Sequence, residues 1–353
     1  MSIIDEFIDR YHRLSRRRLM FAVLFFVVAA VSVIMSLGFG TYHISLTEAL
    51  NTFIDHISGG VVDRKDDLYV WDIRLPRAIG AAFIGAGLAM GGVVMQNLMQ
   101  NPLAEPYTMG VSSGAFLGAV LSMMLGFSVV PALSGDMAVV CNAFLFSLIP
   151  VAIITLVSRF KKLSPTAIIL LGIAIMYVFS SITQYLMVTA EAETLASAYH
   201  WRVGSLSKVT WENLPFLVVF VTVISVILYT FHRKLDAMYS GDRCAQTLGV
   251  NPSLLRGVCL VLVSLMTAAV VSFTGTIGFI GLVGPHIARM FVGSSNKLLM
   301  PSAVAFGAAF LILADTVAKV SGVNGLPVGV ISSMVGGPLF LYILIKKNRK
   351  VWM

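Results

Sequence analysis

Few ionisable side chains lie inside the long apolar runs of this sequence, and those few are the first candidates for chemistry. Asp315 and Lys319 are four residues apart, so on a helix they would share a face and could pair. Glu105 and His286 each follow a proline-containing stretch. These residues do not form the chain of carboxylates and histidines that ion-coupled carriers usually place at the membrane midplane. The pattern therefore argues against a stand-alone secondary transporter, which stays the alternative function.

Motifs for catalysis, nucleotide binding and metal binding are missing from the sequence. It has no G-x-x-x-x-G-K-[ST], H-E-x-x-H or G-x-S-x-G motif. Its three cysteines are far apart without a C-x-x-C pair, and its 18 methionines are dispersed. We interpret His286 as a packing or hydrogen-bonding residue. The sequence thus predicts no catalytic residue, no metal site and no cofactor bound by this chain.

The composition places these residues in an integral membrane protein. Of 353 residues, 58% are apolar and only 12% are charged, whereas soluble domains average about 45–50% and 25%. At about 20 apolar residues per span, the runs predict an all-α protein of about ten transmembrane helices in one polytopic domain (1–353). The predicted spans, which lie between residues 19 and 345, are 19–38, 75–98, 107–129, 137–157, 165–188, 212–231, 254–273, 277–293, 299–318 and 327–345.

The distribution of lysine and arginine predicts the orientation. If the N-terminus is cytoplasmic, 18 of these residues lie on the inner side and seven on the outer side. This sorting predicts a multi-pass protein of the cytoplasmic (inner) membrane with both termini in the cytoplasm. It also explains the net charge of +8 without a nucleic-acid partner.

Three predicted polar stretches lie between the spans, two outside and one inside. The first outer stretch contains a short amphipathic segment, 44–57, followed by an acidic run. The second carries Trp201 and Trp211, whose rings suit the membrane interface. Within the membrane, Gly87 and Gly91 have the G-x-x-x-G spacing that lets helices approach closely.

The cytoplasmic stretch, 234–256, has signals for two short surface helices. Asp242 can cap a helix that begins just after it, Gly249 can end that helix, and Pro252 can open the next one after Asn251. A simple linker does not need two capped helices. We therefore expect a rigid knob that meets a cytoplasmic partner, with a solvated connector as the alternative.

Four segments, in this order, resemble the FecCD-type permeases, the membrane subunits of ABC importers for iron-siderophore, haem and vitamin B12 class ligands. They are RLPRAIGAAFIGAGLAMGGVVMQNLMQNPLAEPYTMGVSSGA (74–115), GDRCAQTLGVN (241–251), GTIGFIGLVGPHIAR (275–289) and LPVGVISSMVGGPLF (326–340). The resemblance implies ten helices per subunit and two subunits around a central pathway, here two copies of this chain, with spans 165–188 and 327–345 facing the axis. It also implies an extracytoplasmic binding protein and two cytoplasmic ATPase subunits that carry ATP and magnesium. Alternating access would then move a siderophore, haem or corrinoid, among which the sequence does not choose.

The resemblance also gives a role to three outer cations. Arg74 and Arg77 of the R-L-P-R motif, together with Lys319, would pair with carboxylates on the binding protein. Similar proteins often have an arginine where Lys319 stands, and lysine lacks the bidentate fork. The alternatives are lipid headgroups or local pairs, Asp72 with Arg74 and Asp315 with Lys319.

Two inner sets of residues gain roles by the same resemblance. The segment that docks into the ATPase would comprise Gly241, Asp242, Ala245, Leu248, Gly249 and Val250. The inner constrictions that close the pathway would comprise Asn101, Leu103, Ser164, Pro165 and Thr166. For the constrictions the alternative is local, since N-P and S-P dipeptides also simply start helices.

Overall fold

The fold is helical throughout the part of the chain that the structure describes. The structure is a computed structural model that describes residues 3–161, 163–322 and 325–347, and within these ranges it contains no β-strand. The α-helices are α1 (Ile3–Leu37), α2 (Leu46–Ser58), α3 (Arg64–Asp67), α4 (Leu75–Met99), α5 (Val111–Leu125), α6 (Gly135–Phe160), α7 (Pro165–Val188), α8 (Ala192–Val203), α9 (Leu214–Thr230), α10 (His232–Tyr239), α11 (Asp242–Thr247), α12 (Pro252–Thr274), α13 (Ile280–Val292), α14 (Asn296–Val320) and α15 (Val328–Lys347). A π-helix, Leu68–Arg74, leads directly into α4, and a 3-10 turn, Pro106–Met109, precedes α5.

Each of the ten predicted spans coincides with an apolar helix. In the described ranges, seven helices are long and apolar enough to cross a membrane, and α9 with α10 makes an eighth if this pair, bent by 61°, is one span. The other two, α5 and α13, have 15 and 13 residues. At 1.5 Å per residue they reach only about 22 and 20 Å, less than the apolar core of a bilayer. The prediction of a multi-pass helical membrane protein is confirmed.

Helix α5 is short because non-helical chain leads into it. After α4 the chain turns back, and the Pro106 ring packs against Gly91, where an added methyl group would lie 2.9 Å from Cγ. Gly91 is eight residues before the end of α4, so this segment folds back about 12 Å along that helix. Non-helical backbone at membrane depth is tolerated where protein covers it, and Pro106, Tyr107 and Met109 are buried.

Helix α4 is the central helix, and glycine lets its neighbours touch its backbone. A methyl group added at Gly92 would lie 1.9 Å from the Gly281 oxygen of α13, and one at Gly85 would lie 2.2 Å from the Gly307 oxygen of α14. The predicted G-x-x-x-G pair is not the tightest contact, since Gly87 faces the Val221 side chain at 3.0 Å. Backbone contact without intervening side chains holds helices together where lipid gives no hydrophobic drive.

The helix ends gather into two groups. At one, called here the outer end, Arg77 of α4 meets Asp315 of α14, and Lys208 meets Asp136 of α6. At the opposite, inner end, Gln100 after α4 bonds Asp242 of α11. This grouping agrees with the predicted alternation of spans, while the side that faces the cytoplasm stays a prediction.

The outer polar stretches are folded against the bundle. The predicted segment 44–57 forms α2, which begins with a capping box in which Ser45 and Glu48 bond each other's backbone amides. The S-x-x-E pattern of residues 45–48 is a sequence signal for this capping box. The Trp201 ring is buried against the bundle and stacks on Phe116 with centroids 5.8 Å apart, so it packs against protein, and its place at the membrane interface stays a prediction. Trp211 is half-buried and donates its indole N–H to the backbone oxygen of Trp71 in the π-helix.

Candidate functional site

Arg74, the last residue of the π-helix, is turned into the protein. Only 2% of it is exposed, and it donates Nη1 to the Leu37 oxygen at 2.6 Å and Nη2 to the Tyr42 oxygen. Leu37 ends α1, so Arg74 satisfies one of the carbonyls that a helix C-terminus leaves unpaired. The Gly40 backbone packs against the guanidinium group of Arg74, and a methyl group added at Gly40 would lie 2.8 Å from Nη2. Arg74 therefore clamps the end of α1 and the following loop to the start of α4.

Asp315 joins the other two outer cations. Its oxygens accept from Arg77 Nε at 3.0 Å and from Nη2 at 2.7 Å, and Oδ2 lies 3.6 Å from Lys319 Nζ. Lys319 Nζ also donates to the Ser36 oxygen at 3.2 Å, again at the end of α1. The local Asp315–Lys319 pair is thus present, whereas Arg74 bonds carbonyls instead of Asp72. The stronger Arg77–Asp315 pair gave no sequence signal, because its partners are 238 residues apart.

The three predicted docking cations therefore lie together at the outer end but are largely internal. The side chains of Arg77 and Lys319 are 16% and 7% exposed. We refer to Arg74, Arg77, Lys319 and Asp315 as the outer cationic cluster. Most of the charged atoms of this cluster are therefore covered by the protein itself.

At the inner end, the carboxylate of Asp242 anchors α11. It accepts from Gln100 Nε2 at 3.0 Å and from Arg256 Nη2 at 2.8 Å, and Arg256 Nε donates to the Leu98 oxygen at the end of α4. The prediction that Asp242 caps this helix is wrong. The N-cap is Gly241, at φ +109°, and Asp242 is the first helical residue, because its side chain is taken up by these partners.

The tip of α11 points out of the protein. Ala245 is fully buried, whereas Leu248 is 66% exposed. Gly249, at φ +75°, ends the helix as predicted, and the following Val250 amide donates back to the Ala245 oxygen at 2.9 Å. We refer to 241–250 as the coupling segment, which offers an apolar tip on an anchored base.

The second helix expected in the cytoplasmic knob is the start of a long helix. Asn251 caps it by accepting from the Leu254 amide at 3.1 Å, and Pro252 is its first residue, as predicted. The helix then continues to Thr274 because no breaker interrupts it. The prediction of a separate surface helix here is wrong, and the two short helices of this stretch are α10 and α11.

A buried amide network, which sequence reasoning missed, ties α10 to the bundle. Asp236 Oδ1 accepts from the backbone amide and from Nδ2 of Asn296, both at 2.8 Å. Asn296 Oδ1 in turn accepts from Asn97 Nδ2 of α4 at 2.9 Å. The only sequence signal was asparagine at the edge of apolar runs. This network gives α10 and α11 separate attachments to the inner end of α4.

The predicted gate residues form two local turns. Asn101 Oδ1 accepts from the Leu103 amide at 2.9 Å, and the Leu103 side chain is 45% exposed. Ser164 caps α7 by accepting from the Ala167 amide at 3.2 Å, followed by Pro165 as the first helical residue and an exposed Thr166. The S-P dipeptide thus does start a helix, whereas the N-P dipeptide forms a turn. No hydrogen bond joins the two turns within the described ranges, and their role as a gate stays a prediction.

The interpretation of His286 agrees with its surroundings. The side chain is 3% exposed, Nδ1 donates to the Leu282 oxygen at 2.8 Å, and the ring meets Phe340 edge-on at 5.5 Å. These contacts are packing and hydrogen bonding.

The fold and the two ends of α4 together define a class of protein: a multi-pass helical membrane protein with an anchored apolar tip at one end and the outer cationic cluster at the other. Comparison with known proteins makes the assignment specific. The model of the FecCD transport family matches residues 28–346. This chain belongs to the FecCD transport family, and it is a membrane permease subunit of an ABC importer, a transport component and not an enzyme.

Individual relatives agree along most of the chain. The cobalamin import system permease protein BtuC of Halobacterium salinarum is 37% identical over 82% of this chain and 76% of its own length. The Fe(3+)-citrate import system permease protein YfmE of Bacillus subtilis is 32% identical over 96% of this chain and 98% of its own. A solved metal-chelate type ABC transporter in an inward-facing conformation is 29% identical, with a TM-score of 0.80 over 92% of this chain and 98% of that one.

Proposed function

We propose that two copies of this chain form the pathway of an importer that moves an iron-siderophore, haem or corrinoid ligand into the cytoplasm by alternating access. A binding protein delivers the ligand outside, and two ATPase subunits, which carry ATP and magnesium, drive the cycle inside. Relatives named for cobalamin and for Fe(3+)-citrate support this range of chelate-like cargo.

The observation that carries the proposal is the attachment of the coupling segment to α4. Asp242 links α11 to Gln100 and to Arg256, so a displacement of α11 reaches the inner end of α4 through charge-assisted hydrogen bonds. Backbone contacts at Gly85 and Gly92 then join α4 to α13 and α14. Because such packing does not deform continuously, rigid-body switching is the expected response.

A second copy is proposed because much of the apolar surface of α7 and α15 is not buried by other helices of the same chain. Only 22% of the most apolar stretch of α7 and 39% of that of α15 are buried within one chain, and 17% of that of α1. Of these three exposed helices, α7 and α15 are the two that the family resemblance turns toward the central axis. Exposed aromatic side chains on α7 include Tyr177 and Tyr185. A mass measurement of the purified complex should give two copies; one copy, or two different permease chains, would contradict this proposal.

The outer end is proposed to receive the binding protein. Cations near the outer surface would steer an acidic partner and raise its association rate about 10- to 1,000-fold at low salt. Arg74 is hydrogen-bonded and buried, so reversing its charge would disturb folding as well as docking. The cleaner measurement is the association rate against ionic strength, and a rate independent of salt would contradict steering.

The function itself is tested by reconstitution. The chain is placed in liposomes with an ATPase subunit and a binding protein as its proposed partners, and ligand accumulation is measured with ATP enclosed. Uptake should require ATP hydrolysis and the binding protein, and an ATPase variant that binds but does not hydrolyse ATP is the control. Uptake driven by an ion gradient without ATP would favour the secondary-transporter alternative.

A further inference from the structure

A groove of about 850 Å³ lies between α6 and α12 at the inner end of the bundle. We refer to it as the inner groove, with α6 residues 155–159 on one side and α12 residues 253–262 on the other. Over residues 253–262 a helix rises about 14 Å. Because α12 is long and apolar enough to span a membrane, the groove runs from the end of the bundle into the membrane layer.

The polarity of the inner groove changes along its length. Its mouth carries Arg159 and Ser253, both of which are exposed. From there Leu254, Val258 and Val261 follow one face of α12, since they are four and three residues apart, and they are 65%, 40% and 38% exposed. A basic, polar mouth that leads into an apolar stripe matches a phospholipid, whose phosphate lies at the surface and whose chains lie below it.

The charges at the mouth favour an anion. Arg159, Arg256 and Asp242 are the charged side chains that line the groove in the described part of the chain, and Arg256 pairs with Asp242 at 2.8 Å. Arg159 has no ion pair among the described residues. The C-terminus of α6 and the N-terminus of α12 carry opposite partial charges that roughly cancel. One unpaired guanidinium therefore remains, and its geometry suits a phosphate group.

Two hydroxyl groups in the α6 wall lack hydrogen-bond partners. Thr155 Oγ1 and Ser158 Oγ are both buried and unpaired, and both residues line the groove. Other hydroxyls in these membrane helices bond the carbonyl one turn earlier, as Thr183 and Thr267 do. Buried polar atoms are nearly always paired. A ligand with acceptor oxygens in the groove would supply the missing partners after a rotation about χ1.

We infer that the inner groove binds an anionic phospholipid, with its phosphate at Arg159 and one acyl chain along the apolar stripe of α12. The inference goes beyond the proposed function and does not depend on the cargo. A lipid is favoured over a soluble anion or a protein segment because the stripe enters the membrane-spanning part of α12. The bound lipid would lie beside Arg256, which holds the base of the coupling segment through Asp242.

The test uses the full chain in nanodiscs of phosphatidylcholine, without partner proteins. Phosphatidylglycerol with a photoactivatable acyl chain is added, and the crosslinked residues are mapped. Crosslinks should concentrate in 254–262, and phosphatidylcholine with the same photoactivatable chain should label this stretch about tenfold less, as expected when a charge-assisted hydrogen bond is missing.

Three variants localise the phosphate. Arg159→Gln should reduce labelling by phosphatidylglycerol about tenfold, because the charged donor is lost. Arg233→Gln, which removes an exposed arginine of α10 outside the groove, should leave labelling unchanged. Thr155→Val keeps the side-chain shape and should reduce labelling about threefold, the size of one neutral hydrogen bond. The unfolding midpoint of each variant is measured without anionic lipid, and the comparison of the two lipids needs no variant at all.

Equal labelling by the two lipids, or an equal loss in Arg159→Gln and Arg233→Gln, would overturn the inference. Displacement of the label by soluble glycerol 3-phosphate would assign the site to a free anion, and loss of the label on addition of an ATPase subunit would assign the groove to a protein partner. Either result would overturn the inference as well. Labelling is measured on the chain alone, so a failure of ATP-driven uptake would overturn the proposed function and leave lipid binding intact.

Discussion

The two ends of helix α4 use charge in opposite ways. At the outer end, Arg77 and Lys319 share the buried Asp315, and charged groups form the interior of the site. At the inner end, the Asp242–Arg256 pair lies at the base of the coupling segment, and the exposed tip is the apolar Leu248. The outer end therefore buries its charged groups inside the bundle, whereas the inner end keeps its ion pair at the base of the coupling segment and exposes an apolar tip.

The largest effect should come from removing the shared outer carboxylate. Asp315→Ala leaves two largely buried cations without an anionic partner, which should reduce the free energy of unfolding by about 3–5 kcal/mol. Chemical unfolding in detergent measures the change. The control is Asp136→Ala, which breaks the exposed Asp136–Lys208 pair and should cost about 1 kcal/mol or less. An equal loss of unfolding free energy in the two variants would show that the buried ion pairs of Asp315 stabilise the fold no more than the exposed Asp136–Lys208 pair.

A smaller loss of stability should follow from filling the tight contact between α4 and α13, in the inner half of α4. Gly92→Ala places a methyl group against the Gly281 oxygen, and such overpacking should cost about 1–3 kcal/mol. Gly257→Ala is the matched control, because an added methyl group there meets no atom within 4 Å. It should be neutral or stabilising, as alanine favours helix over glycine. If Gly92→Ala is tolerated as well as the control, the backbone contact between α4 and α13 is not tightly packed.

The inner tip should affect transport without affecting stability. Leu248→Asp should reduce ATP-driven uptake about tenfold, as expected for an interface anchor, with unfolding shifted by less than about 0.5 kcal/mol. Ile57→Asp is the comparison, because Ile57 lies on outer helix α2 and its exposed fraction of 63% is close to the 66% of Leu248. It should leave uptake coupled to hydrolysis. If Leu248→Asp still couples uptake to ATP hydrolysis, or if both variants lose uptake equally, Leu248 does not contact the ATPase as proposed.

The smallest effect concerns pH at the outer end. Hydrogen bonds from the Ser45 backbone and hydroxyl lower the pKa of Glu48 below its ordinary value. A lowered folded-state pKa means that the capping box is fully present above the unfolded-state pKa and is lost as pH falls through the folded one. Amide hydrogen exchange at the start of α2 should therefore accelerate in acid. Glu48→Gln should remove most of this pH dependence, and an unchanged profile would contradict the assignment.

The membrane helices and several helix ends could be predicted from the sequence alone. Apolar runs of about 20 residues specify membrane helices because unpaired backbone groups are too costly in lipid. Local signals also worked: Gly249 ends α11, Asn251 and Pro252 start α12, and Ser164 with Pro165 starts α7. These features depend on neighbours within a few residues, so their chemistry can be read directly from the chain.

Only the tertiary structure decided which groups meet. Arg77 and Asp315 are 238 residues apart, and Gln100 and Asp242 are 142 apart, so no local pattern pairs them. Asp242 looked like a helix cap because the sequence does not reveal that Arg256 and Gln100 compete for its carboxylate. The sequence marked Arg74 as an outer cation, but the packing of α1 against α4 buried it, since the end of a helix leaves carbonyl oxygens that a nearby guanidinium can satisfy.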